Sequence, residues 1–192
     1  MKISATPAPL KKGDTVGIIA PAGRLTELHR FERGIHVLRE MGFQVKLPRD
    51  LWPGHEYLAD SDKNRGIEFN QLLRDPAVHA LVCLRGGYGC LRMLERIDLD
   101  LVASQMKMIV GFSDITILLN YLYEKTGLIS LHGPVVTSLG DADVSALERF
   151  FRSLSGRWDE PVRARNIEIL QHGSSCIAPL VGGNLASLTS LC

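Results

Sequence analysis

The sequence has few cysteines and none of the usual metal-binding spacings. Its four cysteines are Cys83, Cys90, Cys176 and Cys192, and no CxxC pair or Cys/His ligand pattern joins them. A chain of 192 residues is long enough to be stabilised by a hydrophobic core without disulfides. We therefore expect reduced thiols and no structural metal. We expect no cofactor either.

The chain also lacks a charge excess of either sign. Lys and Arg number 22 and Asp and Glu number 21, which gives a net charge of +1. A nucleic-acid partner is not expected, because proteins that bind polyanions concentrate positive charge. The glycine-rich phosphate-binding patterns GxxxxGK[S/T] and GxGxxG are absent as well.

Long apolar runs are missing too. The longest, such as residues 16–22, is far shorter than the roughly 20 residues that span a bilayer. The first residues contain Pro7, Pro9 and a basic pair before any apolar run, unlike a secretory signal peptide. These features predict a cytoplasmic protein with no membrane partner.

What is present is a regular alternation of strand and helix patterns. Short apolar runs at 16–20, 44–47, 79–84, 106–110 and 128–131 read as strands, and helical spacing follows near 28–42, 61–74, 91–94, 116–125 and 144–154. Ser61 is the expected cap of the second helix, whose core face would include Ile67, Leu72 and Leu73. The alternation predicts an α/β domain, a parallel sheet with helices on both faces.

The last part of the chain has a different sequence pattern. Residues 166–170 and 176–180 look like strands joined by a Gly/Ser turn, so we predict an N-terminal α/β domain over 1–158 and a linker plus the beginning of a second domain over 159–192. The apolar stripe Leu185, Leu188 and Leu191 ends abruptly at Cys192. A short docked helix would explain it, but we expect that the natural chain continues, because a free stripe would expose an apolar patch.

Ser113 is the candidate nucleophile. It follows the apolar run 106–110 and precedes a helix, which is the order of a nucleophile elbow, where the serine lies above the strand end and the next backbone N–H can face an oxyanion. Ile115 replaces the second glycine of the usual elbow motif. A helix-capping role for Ser113 or Asp114 explains the pattern equally well.

A second turn is expected to border the same crevice. Arg85–Gly89 follows a predicted strand, and its adjacent glycines would let the backbone approach a ligand. Arg85 could bind a carboxylate in bidentate fashion, or could be an exposed arginine on a tight turn.

A serine nucleophile needs a base, usually histidine. Of the six histidines, only His132 follows a predicted strand near this crevice, and in a Leu-His-Gly-Pro context it is more often structural. The residues alone therefore supply a nucleophile without a convincing base.

Five motifs in order resemble one family. They are Gly13–Ala22, Arg85–Gly89, Gly111–Thr116, His132–Pro134 and Gly182–Leu185, and together they resemble the L,D-carboxypeptidases of the serine peptidase family that includes the microcin-immunity peptidases. The resemblance implies a flavodoxin-like N-terminal domain followed by a C-terminal domain, a homodimer, and a metal-independent cytoplasmic peptidase of peptidoglycan recycling. Its substrate would be a murein tetrapeptide, from which it removes the terminal D-alanine.

The resemblance also implies residue roles. Ser113 matches the family nucleophile, and the backbone amides of Asp114 and the Gly86–Gly87 turn match its oxyanion hole, with Gly87 as the donor. Arg85 and Gly86 are the candidate substrate-binding residues. The family's catalytic Glu and His lie beyond the position of Asn184 and have no counterpart here, so we expect the 192 residues alone to have little or no peptidase activity.

Two alternatives stay open on the sequence. One is a non-catalytic module that binds muropeptides. The other is a related peptidase that cleaves an amide in a peptide-nucleotide antibiotic.

Overall fold

A five-stranded parallel sheet organises the chain. In this computed structural model, which describes residues 4–49, 52–158, 168, 173, 177 and 180–191, the strand order is β2-β1-β3-β4-β5 and every neighbouring pair is parallel. The strands are β1 (Thr15–Ile19), β2 (Gln44–Lys46), β3 (Ala80–Cys83), β4 (Met108–Gly111) and β5 (Leu131–His132). The predicted α/β class is confirmed.

Eight α-helices connect or flank these strands. They are α1 (Leu28–Glu40), α2 (Asp62–Arg74), α3 (Cys90–Met93), α4 (Leu99–Gln105), α5 (Ile115–Thr126), α6 (Val136–Leu139), α7 (Val144–Leu154) and α8 (Leu185–Leu188), counted over the residues described above. No helix in that part of the chain is long and apolar enough to cross a bilayer.

The two faces of the sheet are covered by separate hydrophobic cores. Alternate strand residues point to opposite faces, so that Ile18 and Val82 pack with α1, α6 and α7, while Ile19, Leu81 and Ile109 pack with α2, α3, α4 and α5. Burial on both faces explains why the central strands are apolar throughout.

Helix α2 follows the predicted capping but not all of the predicted core face. The Ser61 hydroxyl accepts a hydrogen bond from the backbone N–H of Asn64 at 3.3 Å, as predicted. Leu72 and Leu73 are buried, but Ile67 is 43% exposed, and Phe69 is buried instead. The prediction for Ile67 was wrong because the helix is rotated toward Phe69.

The sequence pattern missed α4 and α6 and misplaced two strand boundaries. Asp98 caps α4 by accepting from the N–H of Leu101 at 2.9 Å, and Met106, with a φ of 45°, ends this helix, so β4 begins at Met108 and not at 106. The predicted strand 128–131 is reduced to β5 because Leu128 bridges Ala5 outside the sheet. The strands predicted at 166–170 and 176–180 lie largely outside the described residues.

The strand order places a crevice at the carboxyl ends of the strands. The chain proceeds from β1 outward to β2 and then returns to β3 on the other side of β1. The loops after β1 and β3 therefore leave in opposite directions, and ligands of such sheets bind where this reversal occurs, beyond the carboxyl ends of the strands.

Candidate active site

Ser113 lies in a strained turn between β4 and α5. Its φ is 63°, a left-handed conformation shared by only two other non-glycine residues in the described part of the chain, Glu56 and Met106. Such a conformation costs a non-glycine residue of the order of 1 kcal/mol or more and is frequent at functional sites. The Ser113 carbonyl accepts from the N–H of Thr116 at 2.9 Å, so the helix begins immediately after the turn.

The turn brings Ser113 against the glycine loop that follows β3. A β-carbon built on Gly86 would lie 2.9 Å from the Cβ and 3.1 Å from the Oγ of Ser113. The Gly86 carbonyl in turn accepts from the N–H of Gly23, in the loop after β1, at 3.2 Å. The loop after β1 thus contacts the loop after β3, which in turn packs against the Ser113 side chain.

Two backbone amides at this meeting point have no acceptor. Neither the N–H of Gly87 nor that of Asp114 bonds to any group within the described ranges. Gly87 has a φ of 124°, which glycine adopts at little cost. Free amides beside a serine hydroxyl are the donors that an oxyanion requires.

The Asp114 side chain does not cap its own helix. Asp114 occupies the position before α5 but makes no capping bond there; its Oδ2 accepts instead from the backbone N–H of Cys90, at the start of α3, at 2.9 Å. This buried hydrogen bond ties the end of the glycine loop to the nucleophile turn. The helix-capping alternative for Asp114 is therefore wrong for α5.

Cys90 is not a competing nucleophile. Its thiol is buried, and burial together with the neighbouring Asp114 carboxylate raises its pKa well above the usual value of 9.0. A thiol with a raised pKa is held in its unreactive protonated form.

Arg85 lines the crevice but already has acceptors. Its Nη1 donates to the backbone carbonyl of Arg24 at 3.1 Å and to the Thr26 hydroxyl at 2.9 Å. The crevice has a volume of about 670 Å³ and contains residues from three loops: Gly23, Arg24, Thr26, Glu56, Tyr57, Arg85, Gly87 and Tyr88. The rings of Tyr57 and Tyr88 meet edge to face across 5.6 Å on its wall.

His132 lies near the site without contacting the nucleophile. Its Nε2 is 3.5 Å from the Thr116 hydroxyl, and its ring packs edge-on to Phe112. The hydroxyl of Ser113 has no hydrogen-bond partner among the residues that the structure describes. His132 also borders a smaller cavity of about 310 Å³ between β5 and α7.

The last described segment packs on α5 beside Ser113. The Thr116 hydroxyl accepts from the N–H of Asn184 at 3.0 Å, and Asn120 donates to the Gly182 carbonyl at 3.1 Å. Ser187 reaches the Ser113 carbonyl at 3.5 Å. The Gly182–Leu185 motif is therefore a neighbour of the nucleophile turn.

Sequence reasoning missed Arg65, which links the loops around the site. This buried arginine donates to the backbone carbonyls of Pro21, Gly89 and Asp60 and pairs with Asp62. In the sequence it lies in a polar stretch of α2 and resembles a solvated residue, so no local pattern could have identified it.

The described residues contain no cluster of three or more His, Cys, Asp or Glu side chains that could hold a metal ion.

Known proteins are similar to this chain in sequence. Residues 16–133 match the family described as "LD-carboxypeptidase N-terminal domain". A probable murein peptide carboxypeptidase of Bacillus subtilis is 36% identical over 96% of this chain and 58% of its own length. A murein tetrapeptide carboxypeptidase of Pseudomonas aeruginosa is 32% identical over 92% of this chain and 59% of its own length.

A solved structure is similar over nearly the whole chain. The microcin self-immunity protein MccF in complex with aspartyl sulfamoyl adenosine superposes with a TM-score of 0.81 at 28% identity, covering 96% of this chain and 64% of that one. The chain spans slightly less than three fifths of the length of the two curated carboxypeptidases.

Proposed function

Because the chain belongs to the LD-carboxypeptidase family, we propose that the protein made from its complete gene is a serine peptidase that removes the terminal D-alanine from murein tetrapeptides. The observation that best supports the proposal is the strained Ser113 turn packed against Gly86. The murein tetrapeptide carboxypeptidase among its relatives supports the choice of substrate.

The proposed reaction proceeds through an acyl-enzyme. The Ser113 Oγ attacks the carbonyl carbon of the scissile L,D bond, and the N–H groups of Gly87 and Asp114 stabilise the negative charge that develops on the carbonyl oxygen. The amide C–N bond then breaks, D-alanine leaves with a proton on its amine, and water hydrolyses the ester. Arg85 and Gly86 border the bound peptide.

The base and its orienting carboxylate are proposed to lie in the C-terminal domain of the whole protein. Residues 1–158 would form the domain that contains the nucleophile, and residues 159–192 would lead into the next domain. We also propose that the protein is cytoplasmic and forms a homodimer. Light scattering of the purified protein tests the dimer.

The experiment is to measure D-alanine release from the tetrapeptide by the complete protein and by its Ser113→Ala variant. We expect a loss of at least about 10³-fold in the variant, because a triad without its nucleophile retains only binding and oxyanion stabilisation. Activity should persist with a chelator present. Turnover by the Ser113→Ala variant at the wild-type rate would disprove the proposal.

The same assay applies to the 192-residue polypeptide, which has no base beside Ser113 within the described ranges. We expect it to release D-alanine no faster than its own Ser113→Ala variant. Measurable tetrapeptide binding without turnover in the complete protein would instead favour the non-catalytic module.

A second candidate is cleavage of a peptide-nucleotide amide, which the similarity to MccF favours. Comparing kcat/KM for the tetrapeptide and for an aminoacyl sulfamoyl adenosine decides between the two. A higher value for the nucleotide substrate would replace the carboxypeptidase assignment.

A further inference from the structure

Arg24 places an unpaired cation in the crevice between the loops that follow β1 and β3. Its side chain is exposed, it lines the 670 Å³ crevice, and its guanidinium has no acceptor in the part of the chain that the structure describes. The backbone of Arg24 is fixed, since its N–H donates to the Tyr57 carbonyl at 3.0 Å and its carbonyl accepts from Arg85. The cation is therefore held on an ordered loop while its charged end stays free.

The other arginine of the crevice is engaged differently. The Nη1 of Arg85 bonds to the Arg24 carbonyl and to the Thr26 hydroxyl, so this group connects the loop after β3 to the loop after β1. A guanidinium committed to two neutral acceptors has fewer donors left for a ligand. Arg85 thus supports the loop on which Arg24 stands.

The loop of Arg24 is connected to the turn that contains Ser113. Gly23, its chain neighbour, donates to the Gly86 carbonyl at 3.2 Å, and Gly86 packs against the Ser113 side chain. The carboxylate of a C-terminal residue is separated from the scissile carbonyl by only one amide nitrogen and one α-carbon. Arg24 is linked to the nucleophile turn through Gly23 and Gly86, so its loop lies at the same carboxyl ends of the strands as Ser113.

The crevice also contains one anion, Glu56. Glu56 has a φ of 55° at the tip of a tight turn in which His55 and Leu58 exchange two backbone hydrogen bonds of 2.9 Å. No ion pair joins Glu56 to Arg24 within the described residues. Among these residues, the Glu56 carboxylate therefore does not occupy the guanidinium of Arg24.

We propose that Arg24 binds the free terminal carboxylate of the substrate and so makes the enzyme select a C-terminal residue. This inference rests on the proposed carboxypeptidase function. An arginine fork matches a carboxylate with two parallel charge-assisted hydrogen bonds, which a neutral carboxamide cannot accept equally well.

The test compares two substrates in the complete protein: the tetrapeptide that ends in D-alanine and the same peptide that ends in D-alanine amide. Wild-type enzyme should prefer the free acid. Arg24→Gln should lower kcat/KM for the acid by about 10- to 100-fold, as expected for a charge-assisted hydrogen bond, and should leave kcat/KM for the amide nearly unchanged. For the acid, the kcat/KM of Arg24→Lys should lie between that of the wild type and that of Arg24→Gln.

Two control variants are measured in the same assay. Arg39→Gln makes the same charge change on an exposed residue at the end of α1, toward the opposite edge of the sheet, and should preserve the preference for the acid. Arg85→Lys should impair both substrates, because it weakens the support of the loop on which Arg24 stands. Melting temperatures of all variants establish that each one is folded.

The outcomes separate the two proposals. If wild-type enzyme cleaves neither peptide, the carboxypeptidase function fails and the inference fails with it. If wild-type enzyme prefers the acid and Arg24→Gln keeps that preference, the inference alone is overturned. A preference lost in Arg85→Lys but kept in Arg24→Gln would assign the carboxylate to Arg85 and equally overturn it.

Discussion

Gly86 and Ser113 touch so closely that the glycine has no room for a side chain. Its φ is not in the left-handed region, and a β-carbon there would come within 2.9 Å of the Ser113 Cβ. The absence of a side chain at this position is therefore explained by the approach of the nucleophile, not by the backbone conformation.

Gly86→Ala should consequently reduce activity while the chain still folds. The new methyl group must displace the Ser113 side chain or the loop by several tenths of an ångström, and misplaced nucleophiles lose about 10²-fold in rate. D-Alanine release by the complete protein measures the effect. Gly133→Ala is the matched control, because its methyl group would meet Val110 at an ordinary 3.4 Å; equal activity in the two variants would contradict the prediction.

Ser113→Gly should be more stable than Ser113→Ala. Both variants lack the hydroxyl, but glycine adopts a φ of 63° without the steric penalty that alanine retains, and we expect a difference of about 1 kcal/mol in the free energy of unfolding. Urea denaturation measures it. Met106→Gly against Met106→Ala, at a φ of 45°, should give a difference of the same sign; no difference at Ser113 would mean that its turn is relaxed.

Asp114→Ala should destabilise the protein through Cys90. The variant leaves the backbone N–H of Cys90 buried without its 2.9 Å acceptor, which costs about 1–3 kcal/mol. Asp114→Asn retains a side-chain acceptor and should lose less. Chemical denaturation of both variants tests the prediction, with Asp143→Ala, which removes the exposed cap of α7, as a reference for a loss of about 1 kcal/mol. A fully stable Asp114→Ala variant would show that the bond is dispensable.

Glu68 should make stability depend on pH in the opposite sense to a carboxylate whose pKa is lowered by folding. Burial raises its pKa above 4.5, although Trp52 donates to it at 2.8 Å and Arg49 pairs with it at 3.2 Å. The folded state therefore holds a proton that the unfolded state has already released, so this contribution to stability is lost as the pH rises from about 4.5 through the raised pKa.

The measurement is the free energy of unfolding of wild type and Glu68→Gln across that pH range. The variant cannot ionise, so its stability relative to wild type should increase as the pH rises. A constant difference between Glu68→Gln and wild type would contradict the raised pKa.

The sequence alone was sufficient for the order of the strands and most of the helices, and for the turn that contains Ser113. Apolar runs of strand length and helical spacing are local properties, readable within about ten residues, and the Gly-x-Ser sequence between β4 and α5 is equally local. The family resemblance followed from the same short motifs. Helix α4 was missed because its only buried residue is Val102, so it has no apolar stripe.

The tertiary structure decided what surrounds Ser113. The approach of Gly86 to Ser113, the bond from Cys90 to Asp114 and the bonds of Arg65 to the Pro21 and Gly89 carbonyls join segments that lie more than 20 residues apart. No periodicity encodes such contacts, because they exist only once the parallel strands have placed their carboxyl ends at one edge of the sheet. The sequence determined which residue could react, and the packing of the loops determined the groups around it.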